Sequence, residues 1–220
     1  SKNNFRQDGG HLTIQNCTAV SSDGGAIYVE DSFNQEGGEM MIKHCHAGGS
    51  GGGIYARKNF TQNNGVLQVE DCSAHSARYG GALSATSFRQ TAGNVSLFNC
   101  RAGFGGGLDA GDFEQLGGAM RIQSCTAWRE GGGLRTFRGN IFRQDGELHV
   151  LTCSARYGGA LLLAADKVEQ GESATALVED CSAEEDGGGL YISEYAEKQI
   201  SLLGRLEFHN CSAGGRGGGV

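Results

Sequence analysis

A chain of 220 residues with 39 glycines, 8 cysteines and no proline is long enough for one packed array, and its 38% hydrophobic content separates it from collagen and from disordered glycine-rich linkers. The net charge of −7 and the dispersed Lys and Arg argue against a nucleic-acid surface, which needs clustered cations. The longest apolar runs, such as 160–165, fall far short of the roughly 20 residues that cross a bilayer, so no membrane span is expected in this segment.

The first element of the chain is Phe-x-Gln-x-x-Gly, and it recurs. It reads FRQDGG from 5, FNQEGG from 33, FTQNNG from 60, FRQTAG from 88, FEQLGG from 113 and FRQDG from 142, then degenerates to VEQGES and KQISLLG. The second element has apolar residues at i and i+2 and ends in cysteine, as in Leu12, Ile14 and Cys17 or Met40, Ile42 and Cys45. That period of two is the mark of a strand with one buried face. The cysteines stand at Cys17, Cys45, Cys72, Cys100, Cys125, Cys153, Cys181 and Cys211, each followed two residues later by alanine. The third element opens on paired glycines: GGAIYV, GGGIYA, GGALSA, GGGLDA, GGGLRT, GGALLL, GGGLYI and the final GGGV. Glycine supplies the backbone angles of a tight corner there.

Three short strands and three turns every ~27 residues fit a solenoid that coils once per repeat, whereas helical repeats need longer amphipathic runs without glycine. The expected fold is all-β: a single-stranded parallel β-helix of about eight turns of ~27 residues, with three short strands per turn, spanning 1–220 as one segment. Equivalent positions then stack at ~4.8 Å and become ladders. Gln7, Gln35, Gln62, Gln90, Gln115, Gln144 and Gln170 form one of them. Pointing inward, each amide donates to one neighbour and accepts from the other, so burial is satisfied by repetition; pointing outward they would be plain turn glutamines.

The GGAI at 24–27 and the GGAL at 80 and 158 resemble the GGA[ILV] repeats of chlamydial polymorphic membrane proteins, within the wider group of right-handed pectin-lyase-like β-helices. Cysteine stands where the second motif of that family has asparagine, in IQNC (14–17) and FHNC (208–211). The resemblance covers nearly the whole chain and implies a right-handed coil; the wider group implies, for many members, cleavage of acidic polysaccharides by carboxylates, Lys or Arg on one outer sheet.

Cysteines spaced near 28 residues lack the pairing of a zinc site, and no histidine keeps a fixed offset, so neither a metal nor another cofactor is expected. His44 and His46 flank Cys45 and should face solvent. Rung spacing brings Cys17 and Cys45, or Cys72 and Cys100, within the Cα range of a disulfide, but in-register side chains on parallel strands suit the bond poorly. A reduced buried ladder, with cysteine as a small apolar spacer, is set beside a bonded one. Four Asn-x-Ser/Thr sequons, at Asn16, Asn59, Asn94 and Asn210, favour a secreted or cell-surface setting.

The outward column after the Ile/Leu of the glycine strand reads Tyr28, Tyr55, Ser84, Asp109, Arg135, Leu162 and Tyr191. Asp109 and Arg135 would be neighbours, read either as an acid/base cluster or, with more weight, as a surface ion pair. Tyr28 and Tyr55 would be neighbours able to stack a sugar ring. No catalytic residue is assigned. The leading expectation is a structural or adhesive rod at the cell surface, because invariance is spent on the interior while the outside varies; a glycan-binding module and a polysaccharide lyase or hydrolase follow. Neither end carries an atypical capping repeat, so further turns of the same solenoid or other protein subunits are expected to cover both ends.

Overall fold

The computed structural model describes residues 4–137, 139–193 and 199–220. Among them the chain is a parallel β-solenoid of about 7 turns, without helices and with three sheets, against the eight turns expected. In every pairing the strands are parallel and the motifs fall in register. Phe5 pairs with Phe33, Phe33 with Phe60, Phe60 with Phe88, Phe88 with Phe113 and Phe113 with Phe142.

The three strands of a turn are not the three motifs. The glycine strand and the Phe-x-Gln strand share one broad sheet, and in the middle turns they fuse into single strands, Ile54–Gln62, Leu83–Gln90 and Leu108–Gln115. Elsewhere a bend separates them, as between Ile27–Val29 and Ser32–Gln35. The second sheet holds the strands that precede each cysteine, from His11–Gln15 to Arg205–His209. The third sheet is made by the residues that follow the cysteine, commonly two of them, as in Thr18–Ala19. It lengthens to Arg101–Phe104 and Thr126–Glu130 in the middle of the rod.

The corner between the second and third sheets is turned by the residue before each cysteine, which lies in the left-handed region in all eight repeats: Asn16, His44, Asp71, Asn99, Ser124, Thr152, Asp180 and Asn210, with φ between 48° and 56°. Asn and Asp tolerate that conformation; β-branched Thr152 does not. The next corner needs glycine for two reasons. Gly158 has φ 62°, and a Cβ on Gly159 would stand 2.3 Å from the carbonyl oxygen of Gly188 on the adjoining turn.

The inside is laddered. Phenylalanine rings stack at 4.7, 4.6, 5.3, 5.4 and 5.0 Å from Phe5 to Phe142. Each buried aromatic removes about 1.5–3 kcal/mol of apolar exposure, and each stacked pair adds about 0.5–1.5 kcal/mol. The glutamines point inward. Gln35, Gln62, Gln90 and Gln115 donate Nε2 to the Oε1 of the preceding glutamine at 3.2, 3.1, 3.1 and 3.2 Å, and Gln170 donates to Gln144 at 3.0 Å. Each amide also reaches the backbone of the next turn, as in Gln62 to Asn94 O at 3.1 Å, and so ties the broad sheet to the second.

The ladder breaks once. Gln115 Oε1 is buried without a partner, because Gln144 donates to Gly146 O and Thr175 O instead. The turn after Gln144 has only Asp145 and Gly146 before the next strand, where five earlier repeats have three residues. The shortened turn draws the amide towards its own corner. Gln170 Oε1 is unpartnered as well, since Leu202 occupies the ladder position above it.

Candidate functional site

The inward cysteines form a continuous file of eight free thiols; six are buried and Cys17 and Cys211 are half-buried. Each Sγ donates to the carbonyl oxygen two residues earlier, at 3.2–3.4 Å, as in Cys45 to Lys43 and Cys181 to Glu179. Burial pushes the Cys45 thiol up to about 11 and Cys100 and Cys153 well above the usual thiol range. Among the described residues no group of three or more His, Cys, Asp or Glu is placed to hold a metal ion. His44 and His46 are exposed beside the file, with His44 3.6 Å from Asp71 and His46 3.0 Å from Ser73 Oγ. The sequon asparagines Asn16, Asn59, Asn94 and Asn210 are all exposed.

The outward column holds its expected register: Tyr28, Tyr55, Ser84, Asp109, Arg135, Leu162 and Tyr191 pair in succession. Tyr28 and Tyr55 stack at 5.6 Å with 12° between planes, and the Tyr28 hydroxyl is taken by Glu30.

Asp109 and Arg135 depart from expectation. They are joined, Arg135 Nε donating to Asp109 Oδ1 at 2.6 Å, but the pair is buried, with 0% of the Asp109 side chain and 7% of Arg135 exposed. It is no surface ion pair. The reason lies in the corners. The residue before each glycine pair is Tyr79, Phe104, Glu130 and Tyr157 in four successive turns, and these four bridge one another as an extension of the third sheet. They form a wall above the outer face of the broad sheet. Phe137, at the bend that separates Leu134–Thr136 from Gly139–Gln144, closes the other side.

The Arg135 guanidinium is thus caged by rings, its central carbon 4.4 Å from the Phe104 centroid, 5.0 Å from Phe137 and 5.2 Å from Tyr79. Nη1 donates to Glu130 Oε2 at 2.9 Å. Asp109 Oδ2 is buried without a partner, and burial pushes its carboxyl up to about 7, outweighing the opposing pull of Arg135. Asp112 takes no part in this cluster; its carboxylate accepts from the backbone of Asn140 at 2.7 Å and holds the bend of the next turn.

The cage residues line one part of a groove of ≈ 970 Å³ that continues past them. Leu162 and Tyr191 continue the outward column along it, and Tyr157, Ala164, Asp166 and Ser193 line it as well. Tyr157 and Tyr191 lie 5.7 Å apart with their planes inclined by 50°. The Tyr157 hydroxyl is engaged by Glu185 and its ring by Arg156 at 5.5 Å. Exposed Asp166 has no partner among the described residues. Sequence reasoning on the outward column singled out Tyr28, Tyr55, Asp109 and Arg135, of which Arg135 lines the groove and Tyr28 and Tyr55 do not; it named Tyr191 only as an outward position and missed Tyr79, Phe104, Glu130, Phe137 and Tyr157. One signal was present: the residue before the glycine pair is aromatic in YGGA, FGGG and YGGA (79, 104 and 157) and polar in the other repeats.

No helix among the described residues is long and apolar enough to cross a membrane. Comparison with protein-family models, with curated proteins and with solved structures finds no match to this chain.

Proposed function

We propose that this chain is a non-catalytic interaction rod of the cell surface or secreted space, a rigid solenoid that presents one recognition groove on its broad sheet. The observation that carries the reading is the caged Arg135. A guanidinium held by two carboxylates and three rings makes a rigid polar lining in an open groove, which is the organisation of a binding site. The other outward positions are heterogeneous while the interior repeats, as suits a spacer that carries local recognition. Adhesion and assembly with other protein subunits belong to this reading.

A polysaccharide lyase or hydrolase is less well supported by the same site. Asp109, the acid candidate, is sealed beneath Arg135 with one oxygen engaged, and a proton-transfer group has to reach its substrate. A glycan-binding module is the second reading, favoured by the inclined pair Tyr157 and Tyr191 over the open half of the groove.

The test is a display of glycans and surface proteins probed with the labelled chain and with its Tyr157→Ala/Tyr191→Ala form. Ligands bound by the parent and lost from the double variant are expected. A display on which nothing depends on the groove would remove the reading.

A further inference from the structure

We infer that the open half of the groove binds a neutral oligosaccharide and discriminates against the uronate chains that the pectin-lyase-like resemblance implies. The inference rests on the groove being a recognition site and goes further by naming what it recognises.

The argument is one of matching hydrogen-bond character. The groove offers a donor set and an acceptor set side by side. Arg135, which lines the groove, has five N–H groups, and only those on Nε and Nη1 have acceptors among the described residues, leaving Nη2 unpaired there. Ser193, 7% exposed, adds a hydroxyl to the lining. Glu130, and Asp166, which has no partner among the described residues, supply carboxylate acceptors. A ligand of one charge sign would satisfy one set and leave the other bare, and desolvated polar groups left bare are costly. A sugar hydroxyl both donates and accepts and so satisfies both.

Charge argues the same way. The positive charge of Arg135 is already held by Asp109 and Glu130, so an anion gains little from it, while Asp166 repels a carboxylate. The rings of Tyr157 and Tyr191 supply the apolar surface on which the C–H face of a pyranose can lie. Arg135, Leu162 and Tyr191 are register partners on successive turns, which sets donor and ring pair roughly 10 Å apart along the rod. A chain lying parallel to the rod axis meets both ends at once.

The test is calorimetric titration of the intact chain with cellohexaose, mannohexaose, xylohexaose and hexagalacturonate, each at low and high salt. At least one neutral hexasaccharide is expected to bind, with an affinity that moves less than about twofold with salt because no charges pair. Asp166→Asn and Tyr191→Ala are each expected to weaken it about tenfold, the effect of one lost charged hydrogen bond or one lost stacking ring. Asp166 is exposed, so its variant folds irrespective of the fate of Tyr191→Ala. Preference for hexagalacturonate, or absence of binding to every neutral probe, would overturn the inference. If groove-dependent protein ligands still appeared on the display, the recognition reading would stand; if none did, both would fall.

Discussion

Arg135 shows how one side chain is made both buried and structural. It sits between Asp109 and Glu130 and among three rings, so its removal leaves Asp109 buried without its counter-charge. Arg135→Ala is expected to cost about 3–5 kcal/mol in urea unfolding above pH 7, where the Asp109 carboxyl is ionised, and less below it. Asp109 itself sets a pH dependence. Its carboxyl is pushed up to about 7 in the folded chain from an ordinary value of 3.8. Between those values the folded chain holds a proton that the unfolded chain has released, so this group's contribution to stability falls as pH rises from about 4 to 7 and is level above. Asp109→Asn, which cannot titrate, is expected to flatten that part of the curve, seen as a difference from the parent that changes over this window only. A parallel pair of curves would show that Asp109 is ionised throughout. Thr152 is the opposite case, a residue at odds with its backbone, at φ 51°. Thr152→Asn is expected to stabilise by about 1 kcal/mol, read as a rise of about 2–4 °C in Tm.

Among the elements, the glutamine ladder is where repetition substitutes for solvent. Gln62 takes part in the full set, accepting from Gln90 and donating to Gln35 and Asn94 O. Gln62→Leu strands Gln35 Oε1 and Gln90 Nε2 from their partner and is expected to cost about 1–3 kcal/mol. Gln115→Leu is expected to cost less, because Gln115 Oε1 already has no donor. Equal costs in denaturant titrations would mean that the ladder contacts contribute nothing beyond side-chain volume. The presence of this ladder was legible in the sequence, since six glutamines at one offset from phenylalanine, with Gln170 at the same offset from Val168, have to stack once the chain coils. The sequence implies a continuous ladder; its break between Gln115 and Gln144 came from the structure, where the two-residue turn Asp145–Gly146 accompanies it. The assignment of strands to sheets was not legible either. Whether the glycine strand runs straight into the Phe-x-Gln strand, as in Leu108–Gln115, or bends, as after Thr136, depends on the local path rather than on the motif letters. The short strands after most of the cysteines carry two residues and no periodicity to detect.

At the scale of the whole molecule, the file of thiols reports on the integrity of the rod. Six of the eight cysteines are buried and only Cys17 and Cys211 are half-exposed. Native titration with a thiol reagent is therefore expected to show a fast phase of two groups, and all eight are expected on unfolding. Fewer than eight under denaturing conditions would reveal bonds between rungs. The sequence by itself determined the axis of this protein. Coil period and stacked columns follow from translation of one motif, because equivalent residues on successive turns have no choice but to be neighbours; that the glutamine column points inward was decided by the structure. Only the tertiary structure decided the groove. Tyr79, Phe104, Glu130 and Tyr157 come from corners of unequal length, and Phe137 from a bend at the other end of the strand. Their convergence on one groove is lateral to the repeat. Contacts along the axis are set by the period, whereas contacts across a turn depend on how far each corner projects, and no spacing in the sequence encodes that distance.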